Sequence, residues 1–240
     1  MKGERSASIL SLVIFSIGVL LGMVFIGLAV WGDLEATLFN PGGRQEANLG
    51  RLRCPVLLTK AQESATISVR IKNTLDRATS FFARARISEG FLTLMREETT
   101  QVPLEPGEAE RLEWQVSADD AAFERIVLFK VAISGGYPLP ARQGTCGIVV
   151  VDLPYLTGNQ AYALGVVISS AMTIGGVALW FVNNPRRFGV QVQIARLLIV
   201  AASAIAIGII VSLLGWWSIG VAVLVIILLS VGALIGYLGQ

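Results

Sequence analysis

ILSLVIFSIGVLLGMVFIGLAVW, residues 9–31, carries no charged side chain. At 1.5 Å of rise per residue these 23 residues make a helix long enough to cross a hydrocarbon layer of ~30 Å. Three further stretches read the same way, 161–182, 194–216 and 219–238, all without Asp, Glu or Lys. Between the first and second lies a polar island that holds 14 of the 19 Lys and Arg and 16 of the 17 Asp and Glu. A chain of 240 residues that is 54% hydrophobic and 15% charged is too apolar for an ordinary soluble globule. The layout predicts a membrane protein with four transmembrane helices and one water-exposed domain inserted between helices 1 and 2.

Basic residues in short flanks set orientation. Lys2 and Arg5 precede the first span, Arg186 and Arg187 join the second to the third, and Arg196 lies one turn into the third. They share one side only if both termini are cytoplasmic and residues ~32–160 are extracytoplasmic, in the cell membrane. Trp31, Tyr155, Tyr162, Trp216 and Trp217 then fall near the outer interface, with Trp180, Phe181 and Phe188 near the inner one. The first apolar region exceeds the 7–15 residues of a cleavable signal peptide and no small-x-small site follows, so it is expected to be retained as an anchor. The predicted division is 1–31 for the cytoplasmic N-terminus and helix 1, 32–51 for a connector, and 52–153 for the extracytoplasmic domain. It continues with 154–182 for helix 2, 183–193 for a cytoplasmic loop and 194–240 for a hairpin of helices 3 and 4.

No ionisable residue lies in the middle of a span, and Arg196 is placed to snorkel to the interface. No span is broken by proline, so the discontinuous helices of transporter sites are missing. Alone, the chain makes a poor pump or channel. Small residues recur at spacings suited to close packing: Gly18 with Gly22, Ser169 with Thr173, Ala204 with Gly208 and Ser212, and Gly232 with Gly236. Two uses stay open, packing of the four helices on one another and docking against the helices of another protein.

The chain has no histidine, which removes bis-His haem, His-ligated zinc or copper and His-based triad chemistry. Cys54 and Cys146 both lie in the island. In an oxidising compartment they are expected to form one disulfide, and the other reading is two separate buried thiols.

The island reads as strands. In ATISVRIKN, residues 65–73, Ile67, Val69 and Ile71 alternate with Ser68, Arg70 and Lys72. The same alternation runs through 81–87, 112–116 and 127–133, and 148–151 is a continuous apolar run. Turn residues at 73–77, 105–108, 118–121 and 135–140 separate these runs, and Asn40-Pro41-Gly42-Gly43 marks a turn in the connector. Adding 53–58 and 91–96 gives about seven strands in roughly 100 residues, the pattern of an antiparallel β-sandwich.

ATISVRIKNTLDR (65–77) and VPLEPGEAERLEWQV (102–116) make this region resemble the immunoglobulin-like and fibronectin-III-like extracytoplasmic domains of bacterial membrane-anchored proteins. The resemblance covers about residues 52–153 and implies an Ig-like fold, not an activity. Here the two cysteines sit in the first and last strands, unlike the antibody pattern.

Arg70, Lys72, Arg84 and Arg86 point away from the core and would form one basic stripe if their strands are neighbours. If they are not, the four are ordinary solvated positions. Glu97–Glu98 and Asp119–Asp120 are adjacent acidic pairs that lack the oxygen count of a calcium site. No motif selects a catalytic pair, and no cofactor is called for. The expectation is a non-enzymatic multi-pass membrane protein that presents its β-domain for protein–protein interaction or assembly. The alternatives are an accessory subunit of a transporter or energy-converting complex and, third, a carboxylate-based surface enzyme. The expected partners are the lipid bilayer and other membrane or extracytoplasmic proteins, with no nucleic acid.

Overall fold

The computed structural model describes residues 2–39, 47–49, 52–60, 63–135, 139–185 and 189–238. Arg186 and Arg187, the Pro41-Gly42-Gly43 turn and residues 136–138 of the 135–140 turn lie outside the described residues. The chain divides into two compact units, Met1–Val30 with Tyr162–Gln240, and Trp31–Ala161.

The first unit is built from α1 (Lys2–Leu38, up to Val30), α2 (Gly158–Asn183, from Tyr162), α3 (Val190–Leu213) and α4 (Trp217–Leu238). Each helix is long and apolar enough to cross a membrane. α1 and α2 run antiparallel: the Asn184 amide donates to the Ser8 hydroxyl at one end, while Phe25 meets Tyr162 edge to face at the other. Between these points the Ser169 hydroxyl donates to the Gly18 carbonyl at 2.8 Å. A Cβ on Gly18 would stand 2.6 Å from the Thr173 backbone nitrogen, and one on Gly22 2.7 Å from the Ser169 hydroxyl. Glycine is what lets these backbones meet. Gly208 is seated in the same way against Ile26 and Val223. Gly232 and Gly236 are not: no described atom comes within 4 Å of a Cβ at either. Of the five glycines expected at helix contacts, three stand at one. α3 and α4 form the expected hairpin, turning at Gly215, whose φ of +69° suits a residue without Cβ.

Among its described residues the second unit holds eight strands: β1 (Ala47–Asn48), β2 (Leu57–Thr59), β3 (Ser64–Lys72), β4 (Thr79–Glu89), β5 (Phe91–Leu104), β6 (Ala109–Ser117), β7 (Ile126–Ser134) and β8 (Arg142–Val151). They form a six-stranded sheet in the order β1-β8-β7-β4-β5, with β2 also on β8, and a two-stranded sheet of β3 and β6. The two sheets share one apolar core. Ile67, Val69, Leu112, Trp114 and Val116 from the small sheet meet Ala83, Ala85, Ile87, Phe129, Val131 and Ile148 from the large one. Trp114 and Phe129 pack ring on ring with centroids 5.3 Å apart.

The expected all-antiparallel pattern is corrected here, because β1 and β2 pair with β8 in parallel and the large sheet is mixed. Chain direction is the cause. Phe39 packs beside Ala122 and Ile126, near the finish of β8, yet the chain enters the sheet at Ala47 opposite Arg142, where β8 starts. From there it runs alongside β8 in the same sense. Cys54 and Cys146 are disulfide-bonded, with Cα atoms 6.5 Å apart.

Two devices fasten the helical ends to this unit. α1 continues past Trp31, laying Ala36 and Phe39 against Ala122, Ile126 and Leu128 on the outer face of the large sheet. Gly32 and Gly147 face each other there with no room for a side chain on either. At the start of α2, the Glu63 carboxylate accepts 2.8 Å bonds from the Gly158 and Thr59 backbone N–H groups and one of 2.7 Å from the Thr59 hydroxyl. A carboxylate at a helix N-terminus satisfies an orphan donor and opposes the helix dipole. Burial raises the Glu63 pKa, but the three hydrogen bonds together outweigh it and hold the carboxyl below its ordinary value.

Candidate functional site

The four basic residues singled out from the sequence do not form one stripe. Arg70 and Lys72 are on β3 and Arg84 and Arg86 on β4, so they occupy the outer faces of different sheets. Arg84 and Arg86 share one partner, with Nε atoms 3.1 and 3.0 Å from the two carboxylate oxygens of Glu97. Beside Arg86 in register stands Lys130, whose pKa burial, and then the charge of Arg86, pushes below the usual lysine value. On that face of β4 one carboxylate is shared by two guanidinium groups.

The acidic neighbours do not make a carboxylate pair either. Glu97 binds Arg84 and Arg86, whereas Glu98 binds Arg96 at 3.1 Å. Asp120 is buried as the third residue of a capping box, accepting from the Ser117 backbone N–H at 2.8 Å, and Arg96 stands 3.4 Å away. The spacing Ser117-Ala118-Asp119-Asp120 carried that signal.

Arg70 and Lys72 come together with a residue the sequence reading did not select. At the end of the unit where β3 and β7 finish and β4 and β8 begin, a cleft of about 110 Å³ is lined by Arg70, Lys72 and Arg142. Leu49, Phe81, Ile133 and Leu139 supply its apolar wall. Arg142 was legible in principle, because it shares strand parity with Cys146, Ile148 and Val150 and so lies on the core-facing side of β8. A cation there at a strand end reaches the mouth between the sheets instead of the outer surface. Gly135 leaves space for the wall, since a Cβ on it would stand 3.0 Å from the Phe81 ring and 3.1 Å from Leu139.

The β3 rim is rigid. Asn73 is fully buried, and its amide donates to the carbonyls of Arg77 and Leu104 at 2.8 and 2.9 Å while its oxygen accepts from the Leu75 N–H. A buried side-chain amide satisfied three times fixes the chain where β3 ends. Among the described residues, no carboxylate pairs with Arg70, Lys72 or Arg142. Opposite Arg70 on β6 stands Arg111, which adds positive field although it is itself bonded to Glu113 at 2.9 Å. Two guanidinium groups and an ammonium beside an apolar wall are chemistry for a carboxylate-bearing ligand with a hydrophobic neighbour. No cluster of three or more potential metal ligands occurs among the described residues.

Comparison with known proteins adds little. No family model matches the chain, and no curated protein does. Among solved structures, part of it is similar to a cycloisomaltooligosaccharide glucanotransferase from Paenibacillus sp., crystallised with cycloisomaltoheptaose. That likeness has 15% identity and a TM-score of 0.33, and covers 45% of this chain and 14% of that one. The chain therefore corresponds to a small part of that protein, and nothing about fold or activity carries over.

Proposed function

We propose that this is a non-enzymatic multi-pass membrane protein whose extracytoplasmic, Ig-like β-domain binds an acidic segment of a partner protein in the cleft of Arg70, Lys72 and Arg142. The observation that carries the reading is the contrast in pairing. Arg84, Arg86 and Arg96 each have a carboxylate within reach, while the three cleft cations have none among the described residues. Unpaired cations at the rim of an apolar cleft steer an anionic partner and fix its register. Engagement of the acidic pairs in ion pairs and a cap speaks against a carboxylate-based enzyme.

N- and C-termini in the cytoplasm, with residues ~32–160 outside the cell membrane, agree with the basic flanks. They agree also with the disulfide, which persists in oxidising compartments. Protease added to intact cells should remove the β-domain and leave the helices. Survival of the domain would reverse the orientation.

The partner test compares tagged full-length protein, extracted in mild detergent, with the Arg70→Glu/Arg142→Glu and Arg84→Gln variants. A protein retained by the wild type and Arg84→Gln, released by moderate salt and lost from the double variant, fits the reading. Equal retention by the double variant refutes it. The accessory-subunit alternative has its own support in the α4 face at Gly232 and Gly236, which has no described neighbour. It predicts a stoichiometric complex that survives cleft reversal and is lost in Gly232→Leu/Gly236→Leu.

A further inference from the structure

The end of the β unit opposite the cleft carries a second surface of different chemistry. Phe91 and Phe123 meet edge to face with centroids 6.1 Å apart, and both remain exposed, at 57% and 56%. Leu94 stands exposed near them on β5, and Leu153, Tyr155 and Leu156 are exposed in the link from β8 to α2. Phe123 has φ +53° and the adjacent Glu124 +56°. Left-handed backbone is strained for an aromatic residue, where glycine would adopt it freely. The turn is held in that shape by the Phe123 N–H, which donates to the Gly90 carbonyl at 2.9 Å. A strained turn that displays a large apolar side chain to the outside has no use in the core of this unit.

Position within the unit identifies what meets it. The Val150 N–H donates to the Arg125 carbonyl at 2.7 Å, and Lys60 bridges to Glu124 at 3.0 Å while its own N–H donates to the Val151 carbonyl. The Phe123 turn is thus stitched to the finish of β8, seven residues before α2 begins at Gly158. The last turns of α1 pack against Ala122, Ile126 and Leu128 beside the same turn. α2 begins near this end, while α1 joins the unit at Gly32 against Gly147 within β8 and reaches the Phe123 turn only with its last turns. The charges around it are of both signs, Lys60 and Arg125 with Glu89, Glu124 and Asp152.

We propose that this aromatic apron, centred on Phe91 and Phe123, inserts into the headgroup region of the bilayer that α2 enters, as a second membrane contact made by the β-domain itself. Amphipathic and aromatic rings favour that depth, where an apolar body is covered and polar groups stay wet. The mixed rim makes the contact indifferent to anionic lipid. The inference rests on the reading that the helices span a membrane, and is independent of the cleft and its partner.

The test uses the full chain in phosphatidylcholine vesicles, with the photoreactive residue p-benzoylphenylalanine placed singly at Phe123, Phe91, Phe82 or Val167. Phe82 is exposed on the outer face of β4 toward the cleft end, and Val167 is exposed in the middle of α2. Mass spectrometry after irradiation should find phospholipid adducts at Val167, Phe123 and Phe91, several-fold above Phe82. Adducts at Val167 with Phe123 and Phe91 no higher than Phe82, or joined only to a second copy of the chain, overturn the apron alone. Absence of lipid adducts at Val167 as well overturns the spanning reading with it. Gel mobility before and after reduction confirms that each variant keeps the Cys54–Cys146 bond and has folded.

Discussion

Replacing Cys54 and Cys146 with alanine tests how the β unit is held together. The bond closes a loop of 92 residues, and the chain-entropy treatment assigns such a closure about 4–5 kcal/mol at 25 °C. For a domain whose whole stability is on the order of 5–15 kcal/mol, that is a large share. The native state should survive the loss, because the ends are held together in other ways. Leu57, Leu58 and Thr59 pair with Val149, Val150 and Val151, and Arg53 bridges to Ser68. Phe129, the register partner of Cys146, keeps its contact with Trp114. The effect therefore falls on the unfolded ensemble. In a urea series on the full chain in micelles, read by brief proteolysis of the β unit, a loss of about 4–5 kcal/mol at a slope of roughly 1–3 kcal/mol/M moves the midpoint down by roughly 1.3–5 M. Oxidised wild type, reduced wild type and the double variant are compared, and the last two should coincide. A midpoint shift below ~0.5 M would refute the reasoning, since the ends would then stay associated in the unfolded chain without the bond.

Other outcomes follow from single contacts. Glu63→Gln removes a charged cap from α2 and should lower β-unit stability by about 1 kcal/mol at neutral pH. With its folded pKa depressed, Glu63 contributes stability above its ordinary value of 4.5 that is lost as the pH falls below it, so the variant's stability should change less over that acid range than the wild type's in the same urea assay. Gly147→Val drives a side chain into Gly32 and should cost about 1–3 kcal/mol or undock the end of α1, seen as new protease cutting near residues 32–38. Gly18→Leu should lower the thermal midpoint of the detergent-solubilised chain by several degrees, while Gly232→Ala, with no described atom near, should leave it unchanged.

What the sequence made legible and what it hid follow from the range of the forces involved. A helix long and apolar enough to cross a membrane is marked by some 20 successive side chains, so composition reveals it directly. A half-buried strand is revealed by alternation, and β3, β4, β6 and β7 all lie where alternation puts them. β1 and β2, at two and three residues, are too short for any period to register. Pairing partners are a non-local choice, and that choice sends β3 and β4 to different sheets and parts Arg70 from Arg84. The extension of α1 was masked for another reason. Asp33 and Glu35 look like the start of the polar island, although Gly32 and Ala36, four apart, mark a face that packs closely on the sheet. The cleft was hidden most deeply, since Arg142 joins Arg70 and Lys72 only once the start of β8 is brought to the place where β3 and β7 finish. The helix end of the unit is fastened by the Glu63 cap, the Gly32–Gly147 approach and the Lys60–Glu124 bridge, all of which tie residues to the entries of α1 and α2 or the turn beside them. The cleft end carries no such duty, and there the chain keeps cations that no described carboxylate answers. Charge that no described carboxylate answers, set at the mouth of an apolar cleft, adds nothing to folding stability, so its place at the end of the unit away from the helices is the argument for a ligand outside the chain.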